Sequence, residues 1–289
     1  MLNTVNVRFP NLGINISNLI KSFKIMRMEI SMNAVVVTIA IIAGISIVIY
    51  EAKRTWQDVD TYINFSVCAV LSGLIGARLY YVIFNWNYYK GNLLQIFNIR
   101  NGGFTIYGGI IAAVITGIVF SGIKKISFWR IADTACIGLV LAQAVGKWGS
   151  FFNREAFGAY TNTLFAMQIK YDEVGGVINQ EILDHLVRYD GMVYIQVHPI
   201  FLYESLWCMM LFVLIMVFRR FKKFDGEVLL WYIAGYSLGR VWIDIMRTDK
   251  WILPVLNLSI SQLLAALITI IAVCIFAVKH IIAEKSLKN

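Results

Sequence analysis

Residues 260–278 read ISQLLAALITIIAVCIFAV, a run without a single charged side chain. A helix of about 20 such residues crosses the hydrocarbon core of a bilayer, which is about 30 Å thick. Ser259 and Gln262 can form a capping box at the start of this run. The chain carries further apolar runs of similar length at residues 34–50, 62–84, 104–121, 131–150, 200–218 and 228–246. We therefore predict an all-α polytopic membrane protein with seven transmembrane helices.

The composition excludes a soluble or disordered chain. Hydrophobic residues make up 59% and charged residues 15% of the 289 positions, and the mean hydropathy is +0.69. The cysteines lie inside apolar runs without C-x-x-C spacing, which is typical of small buried side chains. We expect neither a metal nor a cofactor. The net charge of +9 needs no nucleic acid partner, because basic loops beside anionic headgroups account for it.

Positive charge in the short loops indicates the orientation. Three loops that must share one side of the membrane are rich in Lys and Arg, namely residues 51–61, 122–130 and 219–227. Loops of this kind stay in the cytoplasm. We predict the N-terminus outside and the C-terminus inside, in the cytoplasmic (inner) membrane of a bacterium. The basic residues of the N-terminal stretch argue for the opposite orientation; they are Arg8, Lys21, Lys24 and Arg27.

Segments outside the apolar runs complete the predicted organisation. Residues 1–33 resemble no cleavable signal and form an N-terminal interfacial segment, amphipathic around Ile20–Ile30. Residues 34–289 form the membrane domain. Within it, residues 85–101 are an interfacial arm and residues 151–199 a small extracytoplasmic head. Alternating residues predict short strands in this head; the stretches are Leu164–Tyr171 and Met192–Val197.

Ionisable side chains remain inside the predicted spans. They are Arg78, Asp133, Lys147, Glu204, Arg240 and Asp244. One such group at mid-bilayer costs about 2.5–3.5 kcal/mol, so the set implies mutual pairing or a wet cavity. In the predicted orientation all but Asp133 fall near the outer leaflet, whereas transporters hold their charges near the midplane. Structural ion pairing and a functional pocket both stay open at this point.

A row of polar side chains marks the sixth span. Tyr236, Arg240 and Asp244 recur every fourth residue, so they share one helix face. The row is either an internal Arg240–Asp244 ion pair with a tyrosine neighbour or one wall of a site.

Glycines and a histidine mark three other places. Residues 102–109 and 146–158 combine glycines with polar groups, which allows close approach of a neighbour or a ligand. His198 precedes a proline and leads into Glu204; it is either a hydrogen-bonded structural group or a catalyst. Together with the charges, these features predict a partly cationic pocket that opens to the outer leaflet and suits an anionic phospholipid headgroup.

The combined motifs resemble the prolipoprotein diacylglyceryl transferases, the bacterial enzymes that lipidate lipoproteins. The resemblance runs from about Ile41 to the end of the chain, and it is carried by residues 76–79, 102–109, 132–133, 146–158, 198–204 and 236–249. It implies transfer of the diacylglyceryl group of phosphatidylglycerol to the lipobox cysteine thiol in the signal peptide of a preprolipoprotein. A thioether forms and glycerol phosphate leaves. The resemblance also implies two lateral openings toward the membrane, for lipid and product.

The resemblance implies catalytic roles for four residues. Arg240 matches the essential arginine of the sixth span, which is expected to hold the phosphate during transfer, and Tyr236 flanks it as the family's tyrosine does. Glu155 matches an acidic residue that positions the headgroup. Tyr107 stands where many members have a histidine, proposed as a base in some of them. A phenol with a pKa near 10 is a poor base at neutral pH, so Tyr107 is expected to hydrogen-bond instead.

Other matches are expected to bind the lipid phosphate or headgroup. They are Lys147, Arg78, Asn153, Ser150, Asp244, His198 and Glu204. Lys147 replaces a second arginine of the family, which keeps the charge but loses the bidentate fork. Ser150 replaces an asparagine, and residues 31–34 lack the Trp-Tyr-Gly that commonly opens the first span. These departures keep two alternatives open: a paralogue with altered lipid choice, or a non-catalytic scaffold that binds anionic lipid. A small-solute transporter is the third alternative.

Overall fold

The chain is mainly helical. The computed structural model describes residues 5–25, 28–98, 102–248, 252–253 and 258–288. Within these residues, six helical stretches are long and apolar enough to cross a membrane: Met32–Arg54, Val59–Phe84, Ile106–Lys124, Phe128–Asn153, Ile200–Phe221 and Ile260–Lys285. The chain is therefore a polytopic membrane protein, as its composition predicts.

The helices follow the predicted apolar runs, with short helices between them. They are α1 (Met32–Arg54), α2 (Val59–Phe84), α3 (Trp86–Tyr89), α4 (Ile106–Lys124), α5 (Phe128–Gly146), α6 (Trp148–Asn153), α7 (Gln180–Leu183), α8 (Ile200–Phe218), α9 (Glu227–Ile243) and α10 (Ile260–Lys288). The predicted sixth span coincides with α9. This helix has 17 residues, about 25 Å at the usual rise, and a 3-10 turn at Asp244–Met246 continues it. A membrane crossing by α9, and with it the count of seven spans, remains a prediction.

A five-stranded antiparallel sheet combines two strands that precede the first long helix with three strands that lie between α6 and α8. The strands of the molecule are β1 (Val5–Phe9), β2 (Ile14–Ser17), β3 (Ser22–Ile25), β4 (Met28–Ser31), β5 (Met167–Lys170), β6 (Val187–Tyr189), β7 (Met192–Val197), β8 (Ile252–Leu253) and β9 (Leu258–Ser259). The sheet has the order β2-β1-β5-β7-β6. Val7, Ile169 and Ile195 stand opposite one another across its central strands and are buried. A strand is thus present in each of the two stretches predicted to contain one.

The N-terminal strands are a structural feature that the sequence did not predict. β1 pairs with β5, so residues 5–17 contribute two strands to the sheet that also contains the strands of residues 167–197. β3 and β4 pair with each other, with Lys24 opposite Glu29. The stretch predicted to be interfacial and amphipathic around Ile20–Ile30 therefore consists largely of this strand pair; residues 26–27 lie outside the described residues. Its position at a membrane interface remains a prediction.

The chain divides into two compact units, which are described separately. One comprises Met1–Gly44 and Ile137–Asn289, and the other comprises Ile45–Cys136. The first unit contains the sheet and α6 to α10. The second contains α2, α3 and α4.

In the second unit, α2 and α4 pack with their backbones in direct contact. A Cβ at Gly108 would overlap the carbonyl oxygen of Gly76, and one at Gly76 would lie 2.6 Å from the carbonyl oxygen of Gly108. Small residues permit this approach between membrane helices. The prediction that the glycines of residues 102–109 need a packed neighbour is confirmed at Gly108, where the neighbour is α2.

The start of α10 is the capping box predicted from the sequence. The backbone N–H of Gln262 donates to Ser259 Oγ at 3.1 Å, and the backbone N–H of Ser259 donates to Gln262 Oε1 at 2.9 Å. Two donors at the helix end are thereby satisfied. α10 then packs along α9 in the first unit.

Candidate active site

Two cations of the first unit converge on one buried carboxylate. Lys147 lies at the junction of α5 and α6, and its Nζ is 2.8 Å from Glu204 Oε2. Arg240, near the end of α9, places Nη1 2.6 Å from Glu204 Oε1. Each oxygen of Glu204 therefore has its own cation, and three helical segments distant in sequence meet at a single side chain.

The cations are more accessible than the acids that hold them. The side chains of Lys147 and Arg240 are each 26% exposed, whereas those of Glu204 and Asp244 are 4% and 2% exposed. Arg240 Nη2 lies 2.9 Å from Asp244 Oδ1, one helical turn further along. This is the pair expected from the spacing of the two residues. The two positively charged side chains are therefore partly accessible, while the two carboxylates that bind them are buried.

A small cavity lies beside these ion pairs. Its volume is about 10 Å³, and its lining includes Lys147, Glu204, Cys208, Tyr236 and Arg240. A space of this size holds about one water molecule. A phosphate group needs more room than this cavity offers.

Close packing of α8 and α9 fixes the position of Arg240. The Trp207 indole N–H of α8 donates to the carbonyl oxygen of Gly235 in α9 at 2.9 Å. One turn later, a Cβ at Gly239 would overlap the same indole ring. Gly235 and Gly239 thus form a small-xxx-small contact that brings the neighbouring Arg240 within reach of Glu204.

Hydrogen bonds hold the Lys147 segment to α8 in a similar way. Trp148 Nε1 donates to Ser205 Oγ at 3.1 Å, and Ser205 Oγ donates to the carbonyl oxygen of Ala144 at 2.8 Å. The residues that follow Lys147 and Glu204 in sequence are therefore bonded to each other. These hydrogen bonds hold α5 and α6 against α8 at the position of the Lys147–Glu204 ion pair.

The end of α6 places two further predicted residues together. Asn153 Nδ2 donates to Glu155 Oε1 at 3.1 Å. The carbonyl oxygen of Ser150 accepts from the backbone N–H groups of Arg154 and Glu155, which closes the end of the helix. Asn153 and Glu155, both predicted from the resemblance to position the headgroup, are thus hydrogen-bonded to each other.

Arg154 is a structural residue of this segment that the sequence did not single out. Its side chain is 5% exposed, and its Nε lies 3.0 Å from Glu173 Oε2. Its Nη2 donates to the carbonyl oxygen of Leu19 at 2.6 Å, and Asn6 Nδ2 donates to Glu173 Oε1 at 2.7 Å. Arg154 thus connects the end of α6 to the N-terminal part of the chain. No local sequence pattern predicts this connection, because the partners lie far apart in sequence.

His198 occupies a structural position before α8. Its Nδ1 lies 3.2 Å from the hydroxyl of Tyr203, and its backbone bonds to Gly158 and Ala159 at 2.9 and 3.0 Å. Burial lowers the pKa of His198 below its ordinary value of 6.5, because the charged imidazolium loses hydration. The side chain is therefore neutral at neutral pH and suited to hydrogen bonding.

The second unit contains Arg78 and Tyr107. Arg78 is 7% exposed, and its guanidinium donates to backbone carbonyl oxygens at 2.6–3.0 Å. The acceptors are residues Gln95, Ile96, Asn98, Gly102 and Gly103. An arginine has five N–H donors, so these acceptors occupy its whole hydrogen-bonding capacity. Arg78 thereby fastens the predicted arm to α2, while Tyr107, in the first turn of α4, is 64% exposed.

Comparison with known proteins identifies the family. A family model described as prolipoprotein diacylglyceryl transferase matches residues 21–278. This chain belongs to that family. Curated relatives named phosphatidylglycerol--prolipoprotein diacylglyceryl transferase agree with this assignment over most of their length. The relative from Clostridioides difficile is 37% identical over 268 residues, covering 93% of this chain and 96% of the relative.

Two other relatives of the same name come from different genera. The Listeria welshimeri protein is 39% identical over 239 residues, which cover 83% of this chain and 82% of the relative. The Bacillus cytotoxicus protein is 35% identical over 246 residues, which cover 85% and 86% respectively. The resemblance inferred from the motifs is confirmed, and the chain is a member of a family of transferases.

Proposed function

We propose that this protein transfers the diacylglyceryl group of phosphatidylglycerol to the lipobox cysteine thiol of preprolipoproteins. The glyceryl carbon–oxygen bond to phosphate breaks, a carbon–sulfur bond forms, and glycerol phosphate leaves. The observation that carries the proposal is the convergence of Lys147 and Arg240 on one carboxylate, with the cations more exposed than the acid. The names of the relatives supply the substrates.

Phosphate binding is the role proposed for the two cations. A lipid phosphate offers the same kind of oxygen acceptors that Glu204 now offers to Lys147 and Arg240. As the glyceryl carbon–oxygen bond breaks, the leaving glycerol phosphate gains negative charge. Fixed cations beside that oxygen stabilise the charge as it develops, which lowers the barrier to transfer. Asp244 holds Arg240 Nη2 in place, and Arg240 Nη1 then binds the phosphate.

The remaining predicted residues take supporting roles in this proposal. Asn153 and Glu155 position the headgroup from the end of α6, with Ser150 beside them. Tyr236 lines the cavity next to Arg240. His198 and Arg78 act mainly by holding backbone segments, as their hydrogen bonds suggest. Tyr107 offers a hydroxyl to lipid or peptide.

We further propose the membrane arrangement that the basic loops indicate. The chain crosses the bacterial cytoplasmic membrane seven times, with α9 as one span, its N-terminus outside and its C-terminus in the cytoplasm. The five-stranded sheet then lies outside as a head, and the site faces the outer leaflet. Reporter fusions at residue 125 and at residue 175 should report the cytoplasm and the exterior, respectively; the reverse result would overturn the orientation.

The function is tested by reconstitution. Purified protein receives phosphatidylglycerol and a lipobox peptide, and the thioether product and free glycerol phosphate are measured by mass spectrometry. Both products should appear in equal amounts. Lipid binding without either product would favour the scaffold alternative, and solute uptake by vesicles without lipid consumption would favour the transporter.

A further inference from the structure

Glu204 occupies the two cations that are proposed to bind the lipid phosphate. Its two oxygens hold Lys147 at 2.8 Å and Arg240 at 2.6 Å, and its side chain is 4% exposed. Because a phosphate would use the same two cations, it must displace Glu204 from one or both of them. A displaced Glu204 is then a buried carboxylate that has lost its counter-charges.

A carboxylate released from its cations has free oxygen lone pairs, and Glu204 lines the same cavity as Lys147 and Arg240, so it lies beside the bound phosphate. We infer that Glu204 accepts the proton of the substrate cysteine thiol, and that binding of the lipid phosphate prepares it to do so. This inference rests on the proposed function and adds a residue role to it. The thiol S–H bond breaks, its proton moves to Glu204, and the thiolate attacks the glyceryl carbon. The glyceryl carbon–oxygen bond breaks, and its electron pair leaves with glycerol phosphate.

The charges of the site balance through these steps. Without lipid, Lys147 and Arg240 offset Glu204 and Asp244. The bound phosphodiester adds one negative charge, and the leaving phosphate monoester gains a second one as the bond breaks. Protonation of Glu204 removes one negative charge at the same time. The net charge of the site therefore stays constant during transfer, so that no further uncompensated charge is created there.

Glu204 suits this role better than the other titratable groups around it. The titratable groups that line the cavity with it are Lys147, Cys208, Tyr236 and Arg240, and Asp244 pairs with Arg240. Asp244 pairs with Arg240 Nη2, whereas Glu204 pairs with Nη1, and Asp244 is not among the residues that line the cavity. The Tyr236 phenol is a weak base, and lysine and arginine carry protons already. Glu204 is the carboxylate that lines the cavity within the described residues, and it is also the one bonded to both cations.

The test is Glu204→Gln, assayed with two peptides. Glutamine keeps the shape of the side chain but does not accept a proton. With the cysteine peptide, we expect turnover to fall at least 100-fold, the low end of general-base effects. A peptide with selenocysteine at the same position has a selenol that is ionised at neutral pH and needs no base. With that peptide, Glu204→Gln should keep turnover within tenfold of wild type.

Phosphatidylglycerol binding separates this role from a structural one. Glu204→Gln should bind the lipid as tightly as wild type or more tightly, because a competing anion is gone. Equal losses with both peptides, or lost lipid binding, would show that Glu204 only maintains the site and would overturn the inference. Cysteine turnover that survives in Glu204→Gln would overturn it too, while leaving the proposed function standing.

A matched control comes from another buried glutamate that pairs with an arginine. Glu51 is 4% exposed and bonds to Arg54 at 2.6 and 3.0 Å. Glu51→Gln removes the same charge and should leave the ratio of cysteine to selenocysteine turnover unchanged. If wild-type protein itself makes no thioether with either peptide, the proposed function fails, and this outcome is distinct from a failure of the Glu204 assignment.

Discussion

Lys147 Nζ lies 2.8 Å from Glu204 Oε2, and this contact joins the junction of α5 and α6 to the second turn of α8. Arg240 of α9 holds the other oxygen of the same carboxylate at 2.6 Å. The three residues therefore act as one unit, and a change in any of them alters the electrostatic environment of the other two. The effects of substitutions here should not be additive.

Lys147→Arg tests how the first cation holds the phosphate. A guanidinium keeps the positive charge and adds a planar fork that matches a phosphate or a carboxylate. We expect equal or higher turnover and a lower KM for phosphatidylglycerol in the peptide assay. Lys170→Arg is the control, because Lys170, the last residue of β5, pairs with the exposed Asp172 in the turn after this strand, and the substitution should not affect transfer. A sharp loss in Lys147→Arg alone would show that the pocket is shaped around lysine.

Arg240→Ala tests the second cation. Removal of a fixed charge that stabilises the leaving group typically lowers kcat by about 100-fold or more. We expect transfer to be lost while the protein still inserts and elutes as a single species in detergent. Arg220→Ala is the matched control, since Arg220 stacks on Phe221 at 4.7 Å beyond the far end of α8. Retained turnover in Arg240→Ala would remove this residue from the mechanism.

Gly239→Ala tests the contact that positions Arg240. A Cβ at this place overlaps the Trp207 indole, so α9 must move away from α8. Overpacking of this kind costs about 1–3 kcal/mol. We expect a lower unfolding midpoint and weaker transfer, because Arg240 moves away from Glu204.

Gly122→Ala provides the control for this prediction. No atom lies within 4 Å of a Cβ built at Gly122, which is in α4. Alanine there gains up to about 1 kcal/mol of helix propensity. Stability should be equal or higher, and transfer unchanged. Equal behaviour of the Gly239 and Gly122 variants would show that the α8–α9 contact tolerates separation.

The parts of this molecule that could be predicted from its sequence depend on local geometry. A helix places residues four apart on one face, so the spacing of Arg240 and Asp244 predicted their ion pair as one of two alternatives. The capping box of Ser259 and Gln262 follows in the same way. Length and hydropathy locate the long helices, because a bilayer requires both.

The parts that could not be predicted depend on partners distant in sequence. Glu204 was predicted at the headgroup site, and its ion pairs with both Lys147 and Arg240 could not be predicted, because the three residues lie far apart in sequence. The hydrogen bonds of Arg78 to main-chain carbonyl oxygens could not be predicted either, because every residue type offers such an acceptor. β1 pairs with β5, a strand that lies far from it in the sequence. The residues near β1 therefore carry no local pattern that predicts this pairing.

The neutral state of His198 leads to a prediction about pH. In the folded protein burial lowers the pKa of His198, whereas in the unfolded chain it titrates at its ordinary value of about 6.5. Below that pH the unfolded state binds more protons than the folded state, so the free energy of unfolding decreases as the pH falls. The unfolding midpoint in detergent should therefore decrease between pH 7.5 and pH 5.

Two variants test whether His198 causes this decrease. Asn lacks this proton site but can still bond to the Tyr203 hydroxyl, so His198→Asn should show a smaller decrease. His185 is exposed, and His185→Asn should behave as wild type. An equal decrease in His198→Asn and wild type would show that other groups govern the acid sensitivity.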